Sequence, residues 1–552
     1  MSPTTPLLLL LLLAAAVGAR QRVVTVCVDH NQKFFTLEGD SVANCANPAA
    51  TAKLSNKINE TGWGFLEVET EDLPSHVQAY AAGLAEGQLT RSLIFDHLRN
   101  TVDGYCDGAE AYCQRLGLFM LKNYEWMQTQ ISAHPNDVYW QQVNFTMTQL
   151  QGVIDGYEQR KTVRTPNDIV IHPIYMLQMS GDFEDLETKL QRPTLLRKRV
   201  LGSGHCSALV KAAPDNSDLF FSHVTWTSYG SMLRLQKLYK FKQCVPGYIN
   251  VFSGYPGALA SDDDFVLTSA GLAVTETTIG NYNKELFPLM KPTAVFTWVR
   301  SQIANRLADT GRKWALIFKK YNSGTYNNQW TIVDYKLFKP GQPLPQEGLL
   351  YVLEQLPGFV EHADLSTFFE GQGYWPSYNI PYFATVFNKS ASWPNVERYG
   401  DWFTYDKSPR ALIFRRDQHT VTDMDSLQKL MRYNDFKNDP LSRCNCTPPY
   451  SGENAISCRS ELNPKDGKYP FASLGFRDHG ATDMKATNSQ MMKTLKFRGV
   501  SGPTYDPLPV FDWRTSALKD TVHHFGHPNE WRFSPVVHTW STEINTDSDA
   551  FC

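Results

Sequence analysis

After residue 19 the chain has no apolar run long enough to cross a bilayer, which excludes a transmembrane helix in the mature sequence. It also lacks a dominant charge. The 53 Lys and Arg residues are matched by 56 Asp and Glu, giving a net charge of -3. No global field therefore favours nucleic acid or an acidic membrane surface. There is no internal repeat and no low-complexity tract, which argues against a solenoid or a disordered scaffold. G-x-S-x-G and H-E-x-x-H are both missing, as is a Cys/His ligand set with zinc spacing. The serine-hydrolase elbow and the common zinc hydrolases lose their signatures with them. No cofactor and no metal is expected.

What is present begins with Leu7 to Val17, an unbroken apolar run that ends in small residues. It has the length and ending of a signal peptide, with cleavage expected after Ala19, although no Lys or Arg precedes it. Asn59, Asn144, Asn388 and Asn445 each begin an N-x-Ser/Thr sequon. Behind a signal peptide these predict surface glycans. Ten cysteines in an oxidising compartment read first as disulfides. Cys106 and Cys113 stand close enough to close a small loop, and Cys458 is expected to pair with Cys444 or Cys446. Cys206 stands apart, with Cys244 as its nearest neighbour in sequence.

Along the chain, strand patterns at Val23–Val28 and Trp63–Val68 precede helical ones at His76–Leu84, Leu116–Ile131 and Val138–Gln159. The stretch 190–205 reads LQRPTLLRKRVLGSGH, a basic, Pro- and Gly-punctuated linker open to proteases. Then the texture changes. Cys206–Ala212 and Leu219–Trp226 flank a polar turn and predict a β-hairpin. Tyr229–Tyr239 predicts a helix, as does Val299–Ala308. Further strands are predicted at Ile249–Phe252, Phe265–Leu267, Leu272–Thr275 and Trp330–Tyr335. Such a mixture predicts an α+β protein with layers of helix and sheet.

A cysteine exposed as a new chain end carries its own base. Its α-amine titrates at about 8, so a neutral fraction that can take the thiol proton exists near neutrality. Before cleavage the same thiol faces the preceding carbonyl, and Gly202-Ser203-Gly204 supplies the freedom for that carbonyl to bend toward it. From composition alone a structural cysteine is the commoner reading.

The motif GSGHCSALVK (202–211) resembles the processing site of the phospholipase B-like family, the lamina ancestor type proteins. The resemblance continues through SGYPGALASDDDFVL (253–267), TETTIGN (275–281), YNSGTYNNQW (321–330), SYNIPYF (377–383), SPRALIFRRDQ (408–418), MRYNDF (431–436) and GENAISCRSELNP (452–464). It covers nearly the whole mature chain and implies the αββα sandwich of the N-terminal nucleophile hydrolases. It further implies cleavage between His205 and Cys206. An N-terminal fragment (20–205) and a C-terminal fragment (206–552) would then stay associated as one globular unit. Cys206 is the implied nucleophile, with His223, Trp226, Asn379 and Arg410 beside it and Asn379 serving the oxyanion. Asn327 and Asn328 are further pocket candidates. Strand alternation puts His223 and Trp226 on opposite faces, so a bulge near Thr225 would be needed to bring both into one pocket.

The family name implies deacylation of phospholipids in the lysosome or outside the cell. An amidase acting on N-acyl lipids or peptides is the alternative, as is a self-cleaved lipid-binding protein without turnover. A homo-oligomer is compatible with either. Two rival patterns are weaker. Gly39-Asp-Ser41-Val42 with Asp520 and His523 imitates a GDSL-type serine esterase, and His523, His524 and His527 imitate a metal cluster.

Overall fold

The computed structural model describes residues 21–31, 33–160, 164–196 and 206–544. The predicted signal peptide, and His205 of the predicted cleavage junction, lie outside the described residues.

Runs rich in Val, Thr, Ile and aromatic residues form two large sheets, beside a two-stranded ribbon of β18 (Phe511–Asp512) and β19 (Glu530–Trp531). The larger has eleven strands in the order β13-β12-β11-β10-β9-β8-β7-β4-β3-β1-β2. Its members are β1 (Arg22–Val28), β2 (Phe34–Glu38), β3 (Pro48–Lys57) and β4 (Trp63–Thr70), then β7 (Arg234–Lys240), β8 (Ile249–Gly254), β9 (Phe265–Thr268), β10 (Leu272–Thr278), β11 (Asn328–Asp334), β12 (Leu350–Leu356) and β13 (Phe359–Asp364). The second sheet has seven strands, in the order β14-β5-β6-β16-β17-β20 with β15 paired to β6: β5 (Cys206–Ala212), β6 (Leu219–Thr227), β14 (Tyr374–Ser377), β15 (Gly480–Ala481), β16 (Asp483–Asn488), β17 (Arg498–Ser501) and β20 (Val536–Val537). The pair β5 and β6 is the predicted hairpin, in unbroken register from Cys206↔Thr225 to Ala212↔Leu219.

The sheets meet through an apolar layer that includes Val210 and Phe221 from the second sheet and Leu238, Val251, Phe265 and Val352 from the first. The helices Ser75–Leu89, Val138–Glu158 and Thr297–Leu307 cover the far face of the large sheet, sharing a core with Leu66, Leu235 and Val274. Helices Pro409–Asp417 and Met424–Met431 cover the far face of the second sheet, over Val224 and Trp226. The first two helices touch backbone to backbone. A Cβ built on Gly83 would lie 2.0 Å from the Gln149 carbonyl oxygen, so only glycine fits there.

The residues before the linker give four strands to the large sheet. β4 joins β7 in a parallel register from Trp63↔Arg234 to Glu69↔Lys240. The two halves of the chain are thus woven into one sheet. Among the described residues no helix is long and apolar enough to cross a membrane.

Two expectations are corrected. Tyr229–Tyr239 is not a helix: a short turn at Tyr229–Ser231 leads into β7. Its buried Lys237 and Arg234 made the segment look amphipathic, yet both point into the protein, Lys237 onto Glu86 at 2.7 Å and Arg234 onto Asp483 at 2.6 Å. Cys458 forms no disulfide. It is a buried free thiol, while Cys444 bonds Cys446. The spacing of two residues let the neighbours close on each other. Cys106–Cys113 pairs as expected, Cys27 pairs with Cys45, and Cys244 is also disulfide-bonded.

Candidate active site

Cys206 is the first residue of β5, and strand alternation turns its side chain toward the large sheet, on the face that carries Val210. The thiol is buried and lies 3.9 Å from Glu276 Oε1 on β10. Glu276 can reach it because β9 has ended there; the β9–β10 pairing stops at Phe265↔Thr275. His223, wholly buried on the same face of β6, completes the group. Sγ, an imidazole nitrogen and a carboxyl oxygen lie within 4.8 Å of one another. Tyr326 Oη sits 3.1 Å from Glu276 Oε1 and 3.0 Å from the Asp262 carbonyl.

These groups rest uncharged near neutrality. Burial pushes the Glu276 carboxyl up to about 8. Burial, and then the Glu276 charge, push the Cys206 thiol well up; Lys485 and the Trp226 backbone N–H oppose them. Burial and Lys485 hold the His223 imidazole well below its ordinary range. Asp262, also buried, rises to about 7. A neutral imidazole with a low proton affinity is a poor partner for drawing off the thiol proton.

Beside the thiol lies a fully buried ionic quartet. Arg234 pairs with Asp263 and Asp483, and Lys485 pairs with Asp483 at 2.9 Å and Asp263 at 3.2 Å. Lys485 Nζ also donates to Thr225 Oγ1 at 2.5 Å, and the Thr225 N–H donates to Asp483 at 3.0 Å. Thr225 is the register partner of Cys206. Two cations and two carboxylates cancel, which makes burial of all four tolerable, and the quartet fixes where β5 starts. None of Glu276, Tyr326, Arg234, Asp263, Asp483 and Lys485 stood out in the sequence. Glu276, Tyr326 and Asp263 did lie inside the motifs TETTIGN, YNSGTYNNQW and SGYPGALASDDDFVL.

Arg410 and Trp226 occupy the opposite face of the second sheet. The β6 register has no bulge at Thr225, so Trp226 points away from His223 into the helical layer. The Arg410 guanidinium stacks over the Trp226 ring at 4.3 Å and donates to the Cys206 carbonyl at 2.5 Å and to Ser207 Oγ at 3.3 Å. It therefore grips the backbone of Cys206 from behind. Asn379 follows β14 at φ +70°, a conformation that Asn tolerates better than most residues. Its Nδ2 donates one proton to the Thr278 carbonyl at 2.7 Å, leaving the second N–H of the amide for another acceptor. Its Oδ1 is buried without a partner among the described residues. Asn379 and Arg410 both line a small cavity of about 30 Å³, walled by Tyr282, Tyr378, Trp402 and Phe403. Ser408 Oγ, on the same wall, is a second buried polar atom without a partner among the described residues.

The remaining candidates fall elsewhere. Asn327 is tied to Asp185 at 3.0 Å and to the Gly324 carbonyl at 2.9 Å. Asn328 pairs with Thr278 in the ladder, its buried amide without a partner among the described residues. Asn59, Asn388 and Asn445 are exposed, while Asn144 is half-buried within a helix. The serine-esterase rival does not assemble. Ser41 Oγ donates to the Glu38 carbonyl, His523 Nδ1 sits 3.1 Å from the Arg99 carbonyl, and Asp520 pairs with Lys519. His524 stacks on Trp513 at 4.1 Å, and His527 packs against Trp531. Among the described residues, no group of three metal-ligating side chains forms there.

The sequence profile of the family described as Phospholipase B matches residues 50–538. The chain is 50% identical over 537 residues to phospholipase B-like 1 of Caenorhabditis elegans, covering 95% of this chain and 94% of that protein. It is 48% identical over 508 residues to phospholipase B-like 2 of Homo sapiens, covering 89% and 86%. It is 36% identical over 524 residues to phospholipase B-like protein B of Dictyostelium discoideum, covering 92% and 89%.

Proposed function

Since this chain belongs to the phospholipase B family, we propose that it is a self-processed hydrolase whose nucleophile is the thiol of Cys206, freed as a chain end by cleavage after His205. The observation that carries this reading is the placement of Cys206. It opens an inner strand between β14 and β6, its thiol lies against His223 and Glu276, and its carbonyl is held by Arg410. The layer order, helices on sheet on sheet on helices, supports an N-terminal nucleophile hydrolase fold. The shared β4–β7 register supports fragments that remain joined after cutting.

The chemistry follows from the resting protonation. His223 holds its imidazole neutral with little affinity for a further proton, and burial disfavours ionised Glu276. The new α-amine of Cys206, titrating at about 8 in a solvated peptide, is the better base. It takes the thiol proton as sulfur attacks an acyl carbonyl. The free N–H of Asn379 meets the developing oxyanion. The protonated amine then hands its proton to the departing alcohol or amine, and water hydrolyses the thioester. The family points to acyl esters of phospholipids as substrate; an N-acyl amide is the second reading, since the same steps cleave either bond. Signal peptide, sequons and disulfides support the secretory pathway, ending in the lysosome or outside the cell.

The test incubates the processed protein with diacyl phospholipids, lysophospholipids and N-acyl ethanolamines and measures fatty-acid release, with Cys206→Ala as control. Release from phospholipids alone supports the ester reading, and release from the amides alone supports the amidase. No release from any of them, with fragments correctly cut, overturns the enzyme in favour of a binding protein.

A further inference from the structure

The three groups around Cys206 are of different chemical types, and each is a good ligand for a soft divalent cation. We propose that the cleaved chain binds one Zn²⁺ at Cys206 Sγ, His223 and Glu276, with the Cys206 α-amine as fourth donor, and that the ion silences the nucleophile. The inference rests on the proposed cleavage, which alone creates that amine.

Geometry comes first. Zn–S of about 2.3 Å and Zn–N or Zn–O of about 2.0–2.1 Å put the donors of a tetrahedral site about 3.3–3.6 Å apart. Here the donor atoms lie within 4.8 Å of one another, with Sγ and Oε1 at 3.9 Å. A contraction of a few tenths of an ångström brings sulfur and oxygen into range, and no donor pair has to close by more than about 1.5 Å. The second observation is independent. His223 has no exposed surface, yet neither ring nitrogen makes a hydrogen bond of normal geometry within the described residues. The Glu276 backbone lies beside the ring, outside good hydrogen-bonding geometry; a buried imidazole so poorly satisfied costs stability, and one that ligates a metal does not. Third, the α-amine and thiol of an N-terminal cysteine close a five-membered chelate on one ion. This adds a ligand without adding a residue. Fourth, the surrounding charge suits a cation. Lys485 and Arg234 are neutralised by Asp263 and Asp483, so no uncompensated positive charge faces the ion. As the ion binds, the protons of the thiol and of the Glu276 carboxyl leave to solvent, and sulfur becomes a ligand instead of an attacking group. Removing the ion restores the thiol.

The experiment uses full-length protein after processing, stripped with a chelator, with the start of the larger fragment sequenced first. Zn²⁺ is titrated calorimetrically, and Co²⁺ is added to a second sample to look for thiolate-to-metal charge transfer. In parallel, iodoacetamide labelling of Cys206 is followed by peptide mass, which separates it from Cys458. The expected result is one ion per chain, a charge-transfer band, and labelling that stops with Zn²⁺ and returns with chelator. His223→Ala should weaken the affinity at least about 100-fold, more than is usual for loss of an outer-shell partner. Glu276→Gln, which keeps the shape, should weaken it too and guards against a folding defect in the first variant. A fragment that starts at Cys206 but takes up no stoichiometric Zn²⁺, or binds it equally well in both variants, overturns the metal site and leaves the cleavage intact. A chain uncut at Cys206 overturns the cleavage reading. If that uncut chain binds Zn²⁺ as tightly as proposed, the α-amine is not the fourth donor.

Discussion

Replacing Glu276 with Gln should make the Cys206 thiol more acidic and faster to alkylate. Glu276 Oε1 lies 3.9 Å from Sγ, and both groups are buried. Two unit charges at that distance repel by about 4 kcal/mol at an effective dielectric of about 20. That repulsion acts whenever both groups are ionised, so the pair resists losing its second proton. The carboxyl, pushed up to about 8, is the group expected to lose the first. Gln keeps the shape and the contact with Tyr326 but cannot ionise. If one third of the repulsion survives solvent and relaxation, the thiolate fraction at pH 9 rises about tenfold, since about 1.4 kcal/mol is one decade. The assay measures iodoacetamide labelling of Cys206 from pH 6 to 10 in chelator, resolved by peptide mass. Cys458 is an internal control, because its own carboxylate neighbour, Glu453 at 3.1 Å, is untouched. The expected outcome is a Cys206 profile moved to lower pH with the Cys458 profile unmoved. An unchanged Cys206 profile, or equal movement of both, refutes the coupling and with it the account of the resting site.

Arg410→Ala removes a charge-assisted bond to the Cys206 carbonyl and the stack on Trp226. Together these are worth about 3 kcal/mol, so conversion of the uncut precursor should slow about 100-fold on a gel time course; unaltered conversion contradicts the grip. Glu354 is buried and raised from 4.5 to about 7, so folding favours its neutral form. Its contribution is full below about 4.5 and is lost as pH rises through 7. Glu354→Gln, neutral throughout, should therefore gain up to about 3 kcal/mol on the wild type between pH 4.5 and 7.5 in denaturant melts. Parallel pH curves contradict this. Gly83→Ala places a methyl group 2.0 Å from a backbone oxygen and should cost about 3 kcal/mol; an unshifted melting midpoint would mean that the helices are not in contact.

Much of this fold was legible because local signals agreed with burial. The β5–β6 hairpin was readable from its alternation and turn, and the long helices from their periodicity. β7 was not, because Arg234 and Lys237 read as a solvated face while their partners, Asp483 and Glu86, come from distant parts of the chain. The site divides in the same way. Cys206 and His223 share one face of the β5–β6 hairpin, which alternation showed, but only the family resemblance singled them out from structural residues. Glu276 reaches the thiol only because β9 stops short, and no spacing in the sequence records that. Trp226 was correctly assigned to the opposite face by alternation. Its link to the site runs through Arg410 and the Cys206 carbonyl, a contact across 204 residues that local pattern cannot carry.

The central claim is that the peptide bond before Cys206 is cut by the Cys206 thiol itself. N-terminal sequencing and intact mass of the C-terminal fragment, in wild type and Cys206→Ala, test it most directly. The wild-type fragment should begin at Cys206, and the variant should remain one uncut chain at that junction. A wild-type fragment beginning within 197–201, or the same Cys206 junction persisting in the alanine variant, would contradict that claim.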